Sequence, residues 1–229
     1  MVDKKFIDGS HYEDQYANID TEYFGLYVAN GIPTQAVGIN QYYADLAIMM
    51  FNLEPGAKIL DAGCGVGHSM RPFLRRGFKC HGIEVSESAR RYSPYRDDIT
   101  IGNISDMYMF KKDQFDLVFS HGTMEHIDRS VVDWTVKELR RVGLRQFHVI
   151  STDPVSPEKD PGHITIENHK WWMNKFGEGA EPYYMVGVCY DPLMADVREP
   201  IVFALPAAFS TVPLRRFFQA NNDINRAKE

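Results

Sequence analysis

The chain has 229 residues, 44% hydrophobic and 24% charged. That is an ordinary globular make-up, and it excludes disorder, collagen-like repeats and coiled-coil rods. The 25 Lys and Arg against 31 Asp and Glu leave a net charge of −6, the wrong sign for a chain that wraps nucleic acid.

At about 150 residues per domain the length allows one large domain or two small ones. A chain this long buries about 70% of its unfolded surface, enough for a full core. Cys64, Cys80 and Cys189 lack C-x-x-C spacing and build neither a zinc pattern nor a disulfide framework, so a reducing compartment is expected. Met1 to Ser10 is charged without an apolar stretch, which predicts no signal peptide. No apolar run approaches the ~20 residues of a membrane helix. The expectation is a cytoplasmic protein without a membrane partner.

In chain order, residues 1–33 carry Phe6, Tyr12, Tyr16, Tyr23, Phe24 and Tyr27 among acidic residues and read as an arm or lid. Residues 34–229 read as a single domain. From Thr34 to Leu53 apolar residues recur at helical spacing, closed by the turn Pro55-Gly56. Lys58–Asp61 reads as a buried strand running into the glycine-rich turn Gly63–Gly67. A helix from His68 to Arg76 stops at Gly77. Lys79–Val85 is a second strand, and Ser86 caps the helix after it. Ile99–Ile101 and Phe115–Ser120 are further strands. Ser130–Val142 is a helix with Val131, Trp134, Leu139 and Val142 inward, and Gln146–Ser151 is a fifth strand.

A helix at Asn168–Phe176 and two strand-like runs, Tyr183–Cys189 and Ile201–Leu205, complete the chain. Alternating strands and helices predict right-handed crossovers and a parallel sheet covered on both faces. The expected fold is therefore α/β, Rossmann-like and doubly wound, with a mostly parallel seven-stranded sheet ending in an antiparallel pair. Ligands in such sheets bind beyond the carboxyl ends of the strands, where the Gly63–Gly67 turn lies.

The stretch Asp61-Ala62-Gly63-Cys64-Gly65-Val66-Gly67 is the most informative. Glycine is needed where φ turns positive and where a ligand nears the backbone, and the amides opening the next helix attract an anion. Asp61 repels phosphate but attracts a cationic amine. Glu84 ends the next strand, where a carboxylate can accept both hydroxyls of a ribose.

With Gly82-Ile83-Glu84-Val85 and Phe115-Asp116-Leu117-Val118, this pattern resembles the class I S-adenosylmethionine-dependent methyltransferases over roughly residues 40–152. The spacing is G-x-G-x-G, unlike the G-x-G-x-x-G of dinucleotide sites. The resemblance implies that Gly63, Cys64, Gly65 and Gly67 pass under the methionine part of S-adenosylmethionine. Asp61 would orient the loop or the amine, and Glu84 would hold the ribose. Gly102-Asn103-Ile104 stands where the family often has Gly-Asp; Asn103 would then accept from the adenine amine, or be a plain turn residue, with Ile104 against the ring. Glu125-His126 matches a pair that many members carry. Ser120 and His121 would lie beside the sulfonium. Val142-Gly143-Leu144-Arg145 replaces the usual Pro-Gly-Gly turn.

Methyl transfer is an in-line displacement that needs collinear positioning away from water. A hydroxyl acceptor also needs a base, and His suits neutral pH. His126, His163 and His121 are the candidates, each open to a structural role instead. Hard oxygen ligands do not converge in the sequence, so no metal is expected. The Asn-Pro-Pro type of run used in DNA amino-methylation is absent at Ser120-His121-Gly122-Thr123. Trp171, Trp172, Phe176, Tyr183 and Tyr184 either wall a pocket or form core; Tyr12 and Tyr16 either close over the cofactor or pack the arm. The reading is a methyltransferase for a small-molecule acceptor, a hydroxyl of a sugar or other metabolite. A macromolecular acceptor (tRNA or protein) and a non-catalytic scaffold are the alternatives.

Overall fold

The computed structural model describes residues 10–17, 34–152, 162–177, 184–187 and 202–203. Helix α1 (Ser10–Ala17) and helix α2 (Thr34–Phe51) precede the sheet. There follow β1 (Lys58–Ala62), α3 (Met70–Arg75), β2 (Lys79–Glu84), α4 (Glu87–Tyr92), β3 (Ile99–Ile101) and β4 (Leu117–His121). The chain continues through α5 (Val132–Val142), β5 (Gln146–Ile150), α6 (His169–Gly177), β6 (Tyr184–Gly187) and β7 (Val202–Phe203). The strand order is β3-β2-β1-β4-β5-β6-β7. Strands β1 to β5 are mutually parallel and form the body of the sheet. The short β6 and β7 continue its edge, β6 parallel to β5 and β7 antiparallel to β6. The order reverses between β1 and β4, which puts the switch point where the glycine-rich turn leaves β1.

Alternation along the strands builds two apolar layers. Ile59, Leu117, Phe119 and Phe147 pack against Tyr43, Leu46, Ala47 and Met50 of α2 and Phe73 of α3. Leu60, Ile83 and Val118 face Val136 and Leu139 of α5 and Trp172 and Phe176 of α6. Phe119 and Phe147 stack across β4 and β5 with ring centroids 5.5 Å apart.

Trp172 and Phe176 are thus core. Trp171 is partly exposed and lies between the cations of Arg129 and Lys175. The side chains of residues 183 and 184 lie outside the described set. Helix α5 corrects the sequence reading by part of a turn: Val132, Thr135, Val136, Leu139 and Val142 are buried, while Trp134 is 58% exposed. The cause is Thr135, a polar residue on the buried face. Its hydroxyl is satisfied by the Val131 carbonyl and the Ser105 hydroxyl, which removes the cost of burying it. Among the described residues no helix is long and apolar enough to cross a membrane. Residues 1–9 and 18–33 of the expected arm, and Cys189, lie outside the described residues.

Candidate active site

Three segments meet at the carboxyl edge of the sheet: the turn after β1, the end of β2, and the turn after β4. Gly63, Gly65 and Gly67 have φ of 74°, 53° and 88°, left-handed values that other residues reach only at a cost of roughly 1–2 kcal/mol. The amides of Gly63 and Cys64 both donate to the Ile83 carbonyl, at 2.9 and 3.2 Å, tying the turn to β2. Thr123 occupies the space a Cβ on Gly63 would need. The Cys64 thiol is buried and lies over Gly82; burial pushes its pKa up, so it is an inert packing group. Ser93 braces the far side, its hydroxyl donating to the Val66 carbonyl at 2.9 Å.

Glu84 is buried and turned into this turn. Its Oε2 accepts from the Gly65 amide at 2.8 Å, and its Oε1 accepts from the amides of Val85 and Ser86 at 2.9 and 3.0 Å. Burial raises its pKa, and the three amides offset that rise only in part. Two carboxylate oxygens have about four acceptor positions, so one further donor fits, on Oε2. The same carboxylate also caps its own strand end through the Val85 and Ser86 amides.

Asp61 is fully buried at the end of β1. Burial, and then the charge of Glu84, push its pKa up to about 8. Its Oδ2 has no hydrogen-bond partner among the described residues. A buried acceptor left in that state costs free energy, and a cationic donor would remove the cost. The amine of an amino-acid moiety over the glycine-rich turn is such a donor. The residues present therefore fit S-adenosylmethionine: Asp61 for the amine, the Gly63–Gly67 turn for the chain beneath it, and Glu84 for the ribose.

Helix α1 lies over this crevice. Glu13 accepts from the Ser86 hydroxyl at 2.7 Å, the Ser88 hydroxyl at 2.6 Å and the Ser88 amide at 3.1 Å. These bonds, those from Ser88 first, hold its carboxyl below the usual range. The Tyr16 hydroxyl stands 2.7 Å from where a Cβ on Gly65 would project. Tyr12 meets His126 edge-on, ring centroids 5.6 Å apart.

His126 ends a short 3-10 turn, Met124–His126, and meets His163 edge-on at 4.6 Å. Glu125, between β4 and β5, is buried; its Oε1 accepts from the Ser151 amide at 3.1 Å. Its main-chain carbonyl accepts from the amides of Ile164 and Thr165, which brings the His163 segment to His126.

The structure does not gather every candidate here. The His121 ring bonds Asn40 Oδ1 at 2.9 Å and meets Tyr43 edge-on; burial lowers its pKa to about 4, so it tethers β4 to α2. The Ser120 hydroxyl is fully buried on the opposite face of β4. It pairs with His148 Nδ1 at 2.7 Å, and the His148 ring stacks on Phe176. Consecutive strand residues point to opposite faces, and for that reason Ser120 and His121 part company. Asn103 is exposed and its Oδ1 accepts from the Ser105 amide at 2.8 Å in a local turn. Ile104 is buried in the second apolar layer. Glu13 was not singled out in the sequence; one acid among several in an aromatic-rich arm carries no local signal of its dock.

Residues 60–146 match the family model described as a methyltransferase domain. No curated protein sequence matches the chain. A putative methyltransferase from an antibiotic biosynthesis pathway of Anabaena variabilis superposes with a TM-score of 0.53 at 14% identity, covering 63% of this chain and 63% of its own. The YcgJ protein of Bacillus subtilis superposes at 0.51 with 19% identity, covering 59% and 66%. A putative S-adenosyl-L-methionine-dependent methyltransferase of Methanococcus maripaludis superposes at 0.52 with 16% identity, covering 67% and 81%. The chain thus spans just under two thirds of the length of the first two. The shared feature is the fold.

Proposed function

We propose that the protein, whose residues 60–146 match a methyltransferase-domain family model, transfers a methyl group from S-adenosylmethionine to a hydroxyl of a small-molecule acceptor, a sugar or similar metabolite. The observation that carries the cofactor half is the buried, unpartnered Oδ2 of Asp61 beside a turn whose amide is held by Glu84. When bound, the cofactor supplies an electrophilic methyl group on a sulfonium. The protein's own task is then to hold the acceptor oxygen in line, exclude water and deal with one proton.

The His126–His163 pair supports an acceptor that must lose that proton, because imidazole is the side chain best matched to neutral pH. Of the three candidate histidines we assign the task to these two; His121 is committed to Asn40. The net charge of −6 favours a small acceptor over a polyanion. The seven-stranded sheet with its antiparallel end pair is the frame we read for a single domain over residues 34–229. We place the reaction in the cytoplasm, where Cys64 and Cys80, both free, stay reduced.

The direct test is mass spectrometry of the purified chain with S-adenosylmethionine and a panel of hydroxylated metabolites, tRNA and protein acceptors. Formation of S-adenosylhomocysteine together with an O-methylated metabolite is expected. Methyl incorporation into tRNA or protein alone would replace this reading with a macromolecular one. Ligand binding without turnover on any acceptor would point to a scaffold.

We also assign residues 1–33 the role of a lid, on the contacts of Glu13, Tyr12 and Tyr16. Glu13→Gln keeps the length but removes the charge-assisted bonds to Ser86 and Ser88. It is expected to weaken S-adenosylhomocysteine binding several-fold while shifting Tm little. Calorimetry on both proteins measures this, and an unchanged Kd would reduce α1 to a packing element.

A further inference from the structure

The segment after β4 and the segment before α6 bring two imidazoles and a carboxylate to one point. The ligating atoms of Glu125, His126 and His163 all lie within 4.8 Å of one another, with Glu125 buried and both histidines half-buried. Two features hold this triad as a built arrangement. The Glu125 carbonyl accepts from the amides of Ile164 and Thr165 at 3.1 and 3.0 Å, and the Thr165 hydroxyl donates to the Ile127 carbonyl at 2.6 Å. The stretch bearing His163 is thus stitched to the turn bearing His126 on both sides of the latter. In addition, the Ser151 amide fixes the Glu125 carboxylate from the end of β5, the kind of outer hydrogen bond that orients a metal-ligating carboxylate.

We propose that Glu125, His126 and His163 bind one divalent transition-metal ion, Zn2+ by the nature of the donors, with a coordination position left open to an oxygen ligand. Two nitrogens and one carboxylate oxygen are borderline donors, suited to zinc and poorly suited to Mg2+ or Ca2+. Three protein ligands instead of four are the pattern of zinc sites that keep a position for water or substrate. Zinc bonds of about 2.0–2.2 Å place tetrahedral ligand atoms roughly 3.3 Å apart, so closing onto the ion needs only small side-chain rotations. The proposal departs from the sequence-based expectation of no metal, which weighed hard oxygen ligands and a cysteine zinc pattern.

The open position deepens the proposed function and rests on it: an acceptor hydroxyl bound there would take the place of water. The ion would lower the pKa of the bound oxygen, so that its O–H proton could leave to solvent water with the electron pair kept on oxygen. In a zinc-loaded protein both imidazoles would serve as ligands, and activation of the hydroxyl would come from the metal.

The test is titration calorimetry of ZnCl2 into the full chain after chelator treatment, with circular dichroism to confirm folding. One equivalent of zinc per chain is expected, and His163→Ala and Glu125→Gln should each weaken it at least tenfold; Gln retains an oxygen for the Ser151 amide. No zinc uptake by folded wild type overturns the site, and so does uptake that neither variant weakens. Co2+ in place of zinc should give visible bands that sodium azide shifts, and bands indifferent to azide overturn the open position. S-adenosylhomocysteine titrated into the same samples separates the two claims. Its binding without zinc removes the metal alone, whereas zinc binding without it removes the methyltransferase reading.

Discussion

Gly65→Val is expected to abolish S-adenosylhomocysteine binding, by at least 100-fold, while the variant stays folded. Gly65 sits at φ 53°, and any Cβ there projects to within 2.7 Å of the Tyr16 hydroxyl, into the space between the turn and α1. The left-handed backbone adds roughly 1–2 kcal/mol of strain, which a domain with two complete apolar layers tolerates. Wild type at 100 times the dissociation constant should gain about 2.7 kcal/mol of stability from the ligand, read as a rise in Tm. The variant should gain none. Binding by Gly65→Val at wild-type strength would remove the turn from the cofactor site.

Asp61→Asn should stabilise the ligand-free protein at neutral and alkaline pH and weaken ligand binding. The Asp61 carboxyl titrates near 4 in an unfolded chain but about 8 in the fold. Between those values the folded chain holds the proton more tightly, so its stabilising contribution is full below pH 4 and drains away as pH rises to 8. Asn carries no such liability. The Tm of the variant relative to wild type should therefore climb from pH 5 to pH 8 and then level off, with a gain on the order of a few kcal/mol at the plateau. Binding should show the opposite trend. An ammonium group needs the ionised carboxylate, so wild-type affinity for S-adenosylhomocysteine should strengthen towards pH 8, by up to about tenfold per unit, while the variant binds weakly at every pH. Equal affinity in the two proteins would detach Asp61 from the amine.

What the sequence made legible was local. The run Asp61–Gly67 and the acid at Glu84 lie 19 positions apart between Gly65 and Glu84, and both follow strand ends whose apolar pattern is plain. The helices flanking the sheet were legible from periodicity, down to the Ser86 cap, whose hydroxyl accepts from the Ala89 amide. Side-chain direction was harder. Ser120 and His121 share a strand end, yet the pleat sends one towards His148 and the other towards Asn40, 81 positions away. Asn103 is spent on its own turn, a competition that short polar side chains often win locally. The Glu125–His126–His163 cluster depends on main-chain bonds between segments nearly 40 positions apart, and no residue spacing encodes them.

The docking of α1 has a consequence for how the molecule comes into being. Glu13 finds its donors 73 and 75 positions downstream, so this helix leaves the ribosome well before the surface that receives it. At a synthesis rate of about 5–20 residues per second, the nascent segment waits several seconds for Ser86 and Ser88 to emerge. Eight residues cannot hold a helix alone for that time; the segment therefore acquires its shape only after the sheet edge that carries Ser86 and Ser88 exists, and closure of the crevice follows the formation of that edge.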